Sequence, residues 1–196
     1  MSNRARTPIN EFTTANTLVD DLISPNFRVR ELVRSEIALR HGIDNWFRTD
    51  KQLQSAIFLA REVLQPIRDV HGPFTPNSVY RGQALERALK KKPKTWVSRS
   101  QHTLGQAADI EVPAITNYML AQWIAASSLS FDQLILEMHT PGIESSGWVH
   151  VSIKQSNNNR HEILTFDGEF YSGLRRYVPS SSNAHFLNLP RCNSST

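Results

Sequence analysis

Cysteine is nearly absent: Cys192 is the single one among 196 residues. No disulfide can therefore close within the chain, and a cysteine-rich zinc site is excluded. Long apolar runs are missing too. None approaches the roughly 18 residues that a membrane span needs, so no association with a membrane is expected. The first residues, MSNRARTPINEFTTANTLVDD, lack the positively charged start and apolar run of a secretory leader. The expectation is synthesis in a cytoplasm, with any export by another route. Charge of one sign is in slight excess only. A formal net charge of +4 favours an anionic polymer or wall surface but is too small to imply nucleic acid. No internal repeat is evident.

What is present is ordinary for a soluble globular chain: 39% hydrophobic and 20% charged residues, with enough length for one domain with its own core. Residues 1–25 read as a polar N-terminal arm, 26–178 as the folded domain and 179–196 as a Ser/Asn-rich polar tail. Between Asn26 and His41, Leu32, Val33, Ile37 and Leu39 suit one short amphipathic helix stopped by Gly42. Thr49 and Gln52 have the spacing of a capping box. The helix behind them carries Leu53, Ile57, Ala60, Leu64 and Ile67 at helical spacing, with a bend expected at Pro66 and an end at His71-Gly72-Pro73. A short strand is predicted over Asn77–Arg81, a basic helix over Gln83–Lys92, and a helix capped by Thr116. Residues 106–112, 131–138 and 147–153 read as strands, and a last hairpin turns at Asp167-Gly168. Helices first and strands later predict an α+β fold, with N-terminal helices packed on a mainly antiparallel sheet.

Period-2 alternation isolates two chemically useful side chains. Ala108, Ile110 and Val112 share one strand face, which leaves Asp109 on the other; Val149, Val151 and Ile153 do the same to His150. His102 stands at the entry to the first of these strands. Two imidazoles and a carboxylate on rigid elements suffice for a catalytic zinc that keeps a fourth position open. Gly105, Ala107 and Ala108 would supply the small residues needed where backbone and ion approach.

Ser100-Gln-His102-Thr-Leu-Gly105-Gln-Ala107-Ala-Asp109 resembles, at every fixed position, the S-x-H-x-x-G-x-A-x-D signature of the zinc D-Ala-D-Ala carboxypeptidases and related murein endopeptidases. These share a fold with lysostaphin-type enzymes and Hedgehog signalling domains. Trp148-Val-His150 is similar to the family's later element that donates the third ligand. Val79-Tyr80-Arg81 resembles its arginine-bearing strand, and Phe131–Glu137 the strand between the two metal motifs in the phage-encoded branch. Phe27, Glu31, Leu32 and Ser35, then Gly42-Ile-Asp-Asn45, look like that branch as well. The likeness covers roughly residues 26–175.

The resemblance implies Zn2+ on His102, Asp109 and His150, with Arg81 stabilising a developing oxyanion or holding a substrate carboxylate. In the best-known family pattern the catalytic acid stands three residues before the last histidine, where this chain has Gly147. Glu137 is the replacement expected here, with Glu144 and His139 as weaker candidates. The implied activity is zinc-dependent hydrolysis of an amide in the stem peptides of bacterial peptidoglycan, as a D,D-carboxypeptidase or D,D-endopeptidase. A monomeric phage lysin, or a virion-associated enzyme, acting in periplasm or wall fits this. The rival is a non-catalytic zinc-containing wall-binding or virion structural module. Trp148 serves as packing or substrate contact, Ser100 and Gln101 as loop-shaping or metal-proximal groups. His41, His71, His161, His185 and the Lys90–Lys92 run with Lys94 read as structural or surface residues.

Overall fold

Ser35 breaks the first amphipathic stretch in two. Its hydroxyl oxygen accepts a hydrogen bond from the Ala38 amide at 3.2 Å and starts a new helix. The single helix expected there is thus α1 (Val29–Val33) followed by α2 (Glu36–Arg40). The break also turns Leu39 outward, where it is 77% exposed. In this computed structural model, residues 2–156 and 158–174 are described.

The capping box forms as its spacing predicts. Thr49 Oγ1 accepts from the Gln52 amide (3.2 Å), and Gln52 Oε1 accepts from the Thr49 amide (3.1 Å). These bonds start α3 (Asp50–Leu59), which widens into a π-helical turn, Ala60–Leu64, before α4 (Gln65–His71). Pro66 explains the widening. Proline has no amide to donate, and its ring crowds the carbonyl one turn back. The wider turn, with the Gln65 amide bonded to the Ala60 carbonyl, relieves that crowding. Gly72, at φ +86°, ends the helix. The basic helix α5 (Gln83–Leu89) stops before the expected Lys92, because Lys91 takes a left-handed φ of +51°. Thr116 Oγ1 accepts from the Met119 amide and caps α6 (Asn117–Ala126).

Five strands follow or interleave: β1 (Ala107–Ile110), β2 (Gln133–Glu137), β3 (Trp148–Ser152), β4 (Glu162–Phe166) and β5 (Tyr171–Gly173). They form one sheet in the order β1-β3-β2-β4-β5, antiparallel except for the β2–β4 pair. The fold is therefore α+β, with N-terminal helices and a mixed, mostly antiparallel sheet. The segment 77–81 joins this sheet only through a single bridge, Ser78 to Asp109, rather than as a full strand. In the last hairpin Asp167 Oδ1 accepts from the Glu169 and Phe170 amides and closes the turn. The tail from Pro179, with His185 and Cys192, lies outside the described residues.

One face of the sheet is core. Ala108, Ile110, Leu134, Leu136, Val149 and Val151 are all fully buried, in one cluster with Leu53, Ile57, Leu64 and Ile67 from the helices and Leu120 and Ile124 from α6. Removing so much apolar surface from water is the main force holding helices to sheet. Residues 2–25 wrap this assembly, with Phe12 and Ile23 fully buried. Arg61 fastens the wrap by donating to the carbonyls of Ile23, Thr7 and Arg4.

Asp132 is the second anchor. Its carboxylate is fully buried just beneath the surface, where Lys154 Nζ (2.7 Å), Arg160 Nη2 (2.6 Å) and Gln101 Nε2 (3.0 Å) all donate to it. Burial pushes this acid up, but the bonds from Arg160 and Lys154 outweigh that and hold it well below the usual carboxylate range. The stability it contributes is thus full above about pH 4 and is lost as the pH falls further. Asp132→Ala should cost about 2–3 kcal/mol in urea denaturation at pH 7, with a smaller difference from wild type at pH 3.

Among the described residues, no helix is long and apolar enough to cross a membrane.

Candidate metal centre

The site is assembled from one turn and two paired strands. Ser100 opens a 3-10 turn, Gln101–Leu104, by accepting from the His102 amide, and Gly105 closes it at φ +71°. A Cβ on Gly105 would lie 2.3 Å from the Gln52 carbonyl oxygen. Gln52 Nε2 also donates to the Thr103 carbonyl at 2.9 Å. The glycine in the signature therefore serves the docking of the turn onto the start of α3, not the approach of an ion, as expected from sequence. Ala108 likewise faces the core. Gln101, bonded to Asp132, fixes the same turn from its other side.

His102, 1% exposed, is oriented by the Val79 carbonyl, 2.6 Å from its Nδ1. A carbonyl only accepts, so Nδ1 carries the proton and Nε2 is left with a lone pair in the neutral ring. Burial lowers the pKa of His102 and favours that neutral form, against the attraction of Asp109. Asp109 and His150 are directly opposed across the β1–β3 ladder. His102 Nε2, Asp109 Oδ1 and His150 Nδ1 converge, with separations of 3.2 Å, 2.9 Å and 3.3 Å. Burial acts to raise Asp109, but the two histidines outweigh it and keep the carboxylate ionised.

This donor set fits a metal ion on two independent grounds. Bonds of 2.0–2.1 Å at tetrahedral angles separate donor atoms by about 3.3 Å, close to the distances found. The second ground is chemical. With Nδ1 protonated, the neutral His102 ring turns its Nε2 lone pair toward a carboxylate oxygen in a site sheltered from water. Two acceptors at that distance repel unless a cation lies between them. The three residues form a cluster that could hold a metal ion.

Arg81 braces the Asp109 carboxylate. Its Nη2 donates to Asp109 Oδ2 at 3.1 Å, which leaves Oδ1 for the shared point. Its Nε lies 3.2 Å from Glu86 Oε1. Glu86 is fully buried, and its other oxygen accepts from Lys90 Nζ and Ser98 Oγ, both at 2.7 Å. Sequence reasoning missed Glu86. The available signal was that it is the only acid in the basic stretch 83–92, one helical turn before Lys90. Asn45 completes the support: its amide donates to the Val33 and Tyr80 carbonyls, and its oxygen accepts from the Gly82 amide.

Glu137 ends β2 opposite Trp148, and its Oε1 lies 4.0 Å from His150 Nδ1. Burial raises its pKa, partly offset by His150. Trp148 Nε1 is buried close to this carboxylate but makes no hydrogen bond with proper geometry. Glu144 and His139 are committed elsewhere. Glu144 Oε2 accepts from Thr116 Oγ1 and its carbonyl from the Tyr118 amide, while His139 pairs with Ser146 Oγ and stacks on Tyr118.

Gly147 has a structural reason to be glycine. Its φ is +70°, and a Cβ there would lie 1.9 Å from the Glu137 carbonyl oxygen. No side chain, acidic or otherwise, fits at this turn between β2 and β3. Gly147→Ala should therefore displace the end of β2 and cost about 2–4 kcal/mol. The loss would be read from thermal unfolding, alongside weaker metal retention because His150 lies three residues on.

Comparison of the chain with known protein families, with curated proteins and with solved structures found no match.

Proposed function

We propose that this chain is a zinc-dependent peptidase of bacterial peptidoglycan, cutting an amide in the stem peptides as a D,D-carboxypeptidase or D,D-endopeptidase, in the manner of a phage lysin. The reading is carried by the convergence of His102 Nε2, Asp109 Oδ1 and His150 Nδ1 at tetrahedral spacing, within a decapeptide that resembles the signature of that enzyme class. The substrate class comes from the resemblance, while the donor geometry supports metal-assisted hydrolysis more broadly.

His102, Asp109 and His150 would hold the ion, which when bound supplies Lewis acidity toward a carbonyl and toward water. The other steps belong to the protein's own groups. Glu137 Oε1 is poised beside His150 to take a proton from the attacking water and return it to the leaving amine. The raised pKa of this acid suits both halves of that transfer. Arg81 turns Nε and Nη2 toward Glu86 and Asp109, which leaves Nη1 for an oxyanion or a substrate carboxylate. Trp148 Nε1 supplies a further buried donor next to Glu137.

A non-catalytic wall-binding module is the second reading, favoured by Gly147 standing where the best-known pattern has its acid. Mass spectrometry of muropeptides, digested with and without chelator, separates the two. Shortened stems that disappear with chelator and return with added zinc are expected. Intact muropeptides from a chain that carries stoichiometric zinc would overturn the peptidase reading.

A further inference from the structure

The basic stretch at the end of α5 plays no part in the candidate metal centre. Residues 83–102 carry six cations, Arg87, Lys90, Lys91, Lys92, Lys94 and Arg99, and one acid, Glu86. That surplus of five compares with +4 for the entire chain, so the net positive charge is concentrated beside the His102 turn. Glu86 is buried, and Lys90 and Arg81 already face its two oxygens. Helix α2, packed against α5, carries Arg40 and Glu36, and Glu36 is paired with Arg34. Met1, Asn157 and residues 175–196 include no Asp or Glu, so no acid outside the described residues offsets the surplus.

Two of the six cations shape the loop and four are left over. Gln83 and Ser98 exchange two hydrogen bonds at its base. Arg87 Nη1 donates to the Trp96 carbonyl, and Lys90 Nζ lies over the Trp96 ring, 5.5 Å from its centroid. Lys91, Lys92, Lys94 and Arg99 are exposed, with no ion pair or side-chain hydrogen bond. The helix dipole favours cations in the last turn of α5, but its reach does not extend to Lys94 and Arg99. Lys91 is the most informative of the four. Its amide donates to the Ala88 carbonyl (3.3 Å) and the Lys92 amide to the Arg87 carbonyl (2.9 Å), a paired closure of the helix end. Lys91 thereby takes the left-handed position, φ +51°, which glycine adopts freely and lysine only with strain. A charged side chain at a strained position, with no partner in the fold, points to a partner outside it.

We infer that Lys91, Lys92, Lys94 and Arg99 form a docking surface for a flexible, base-free phosphate polymer, a polyol phosphate chain. Exposed point charges on an ordered loop attract successive phosphates, and release of the polymer's counterions drives the association. The patch lacks what other polyanions use. Trp96, its one ring, is partly buried and faced by Lys90, so successive bases find no stacking platform. Val97 is its one strongly exposed apolar side chain, at 68%, whereas attachment to a lipid surface buries an apolar face as well. The inference asks nothing of the metal cluster and stands apart from the peptidase reading.

The test measures binding of fluorescently labelled poly(glycerol phosphate) to the full chain. Affinity should fall about fiftyfold between about 50 and 200 mM salt, as four phosphate contacts on a flexible strand require. Lys91→Gly should weaken binding about fivefold at about 0.1 M salt and yet raise Tm by about 2–4 °C, because it relieves the left-handed strain. Lys92→Gln with Lys94→Gln should weaken binding further, while Arg6→Gln with Lys51→Gln, exposed cations elsewhere, should leave it nearly unchanged. Equal weakening by the two pairs would reduce the effect to diffuse attraction by net charge and overturn the inference. So would full binding by Lys91→Gly, or no binding by wild type at low salt. Single-stranded DNA of equal charge, or phosphatidylglycerol vesicles, binding more tightly than the polymer would replace it with a nucleic acid or a membrane and likewise overturn it.

Discussion

On the peptidase reading proposed above, His150→Ala should abolish zinc retention and peptidoglycan hydrolysis together, while the chain stays folded. His150 Nδ1 contributes one corner of a three-atom cluster whose other corners are His102 Nε2 and Asp109 Oδ1. Two remaining ligands hold zinc far more weakly than three, because each bond lost is replaced by water at the ion. The expected result is zinc below one-tenth of stoichiometric after dialysis, and hydrolysis reduced by about a thousandfold or more. His150 is about as exposed as Asp109, at 8% each, so truncation opens a small space at the sheet surface rather than in the core. His102→Ala should be more disruptive to folding, since its ring is fully buried and bonded to the Val79 carbonyl. Elemental analysis and circular dichroism on the same samples distinguish loss of metal from loss of fold. Normal zinc content in His150→Ala would show that this strand does not complete the site.

On the same reading, Glu137→Gln should have the second largest effect, with a different signature. The amide keeps the shape of the carboxylate but accepts no proton, so kcat should fall about 10²–10⁴-fold. Zinc content should stay unchanged, because Glu137 Oε1 stands 4.0 Å from His150 Nδ1 and outside the three-donor cluster. KM should move little, since binding does not depend on the transferred proton. If hydrolysis is unaffected, proton transfer lies with another group, and His139→Ala and Glu144→Gln become the next variants to measure. Both are held against the start of α6, so either would have to leave its present partners first.

The local sequence carries most of the secondary structure because the deciding interactions span only a few residues. Thr49 with Gln52, Thr116 with Met119, and Asp167 with Glu169 are each bonded within three positions. The same logic explains one failure. Ser35 was legible as a cap but was overshadowed by the apolar periodicity running through it. Pro66 was legible as a helix disturbance, and the π-helical turn before it is the form that disturbance takes. Strand alternation identified Asp109 and His150 because one sheet face is buried, and period-2 patterning records that burial directly.

The candidate site divides along the same line. By itself the sequence determined the residue types of the candidate cluster, their strand faces and the glycine-closed turn, all of which follow from local periodicity and backbone conformation. Only tertiary structure decided that Arg81 is clamped by buried Glu86, that Asp132 fastens the His102 turn, and that Gly147 is barred from carrying an acid. It also decided the straight row from Trp148 to Tyr171. Those contacts join residues from 5 to 31 positions apart, and neighbours at such distances are selected by packing and pairing register, which no local pattern encodes.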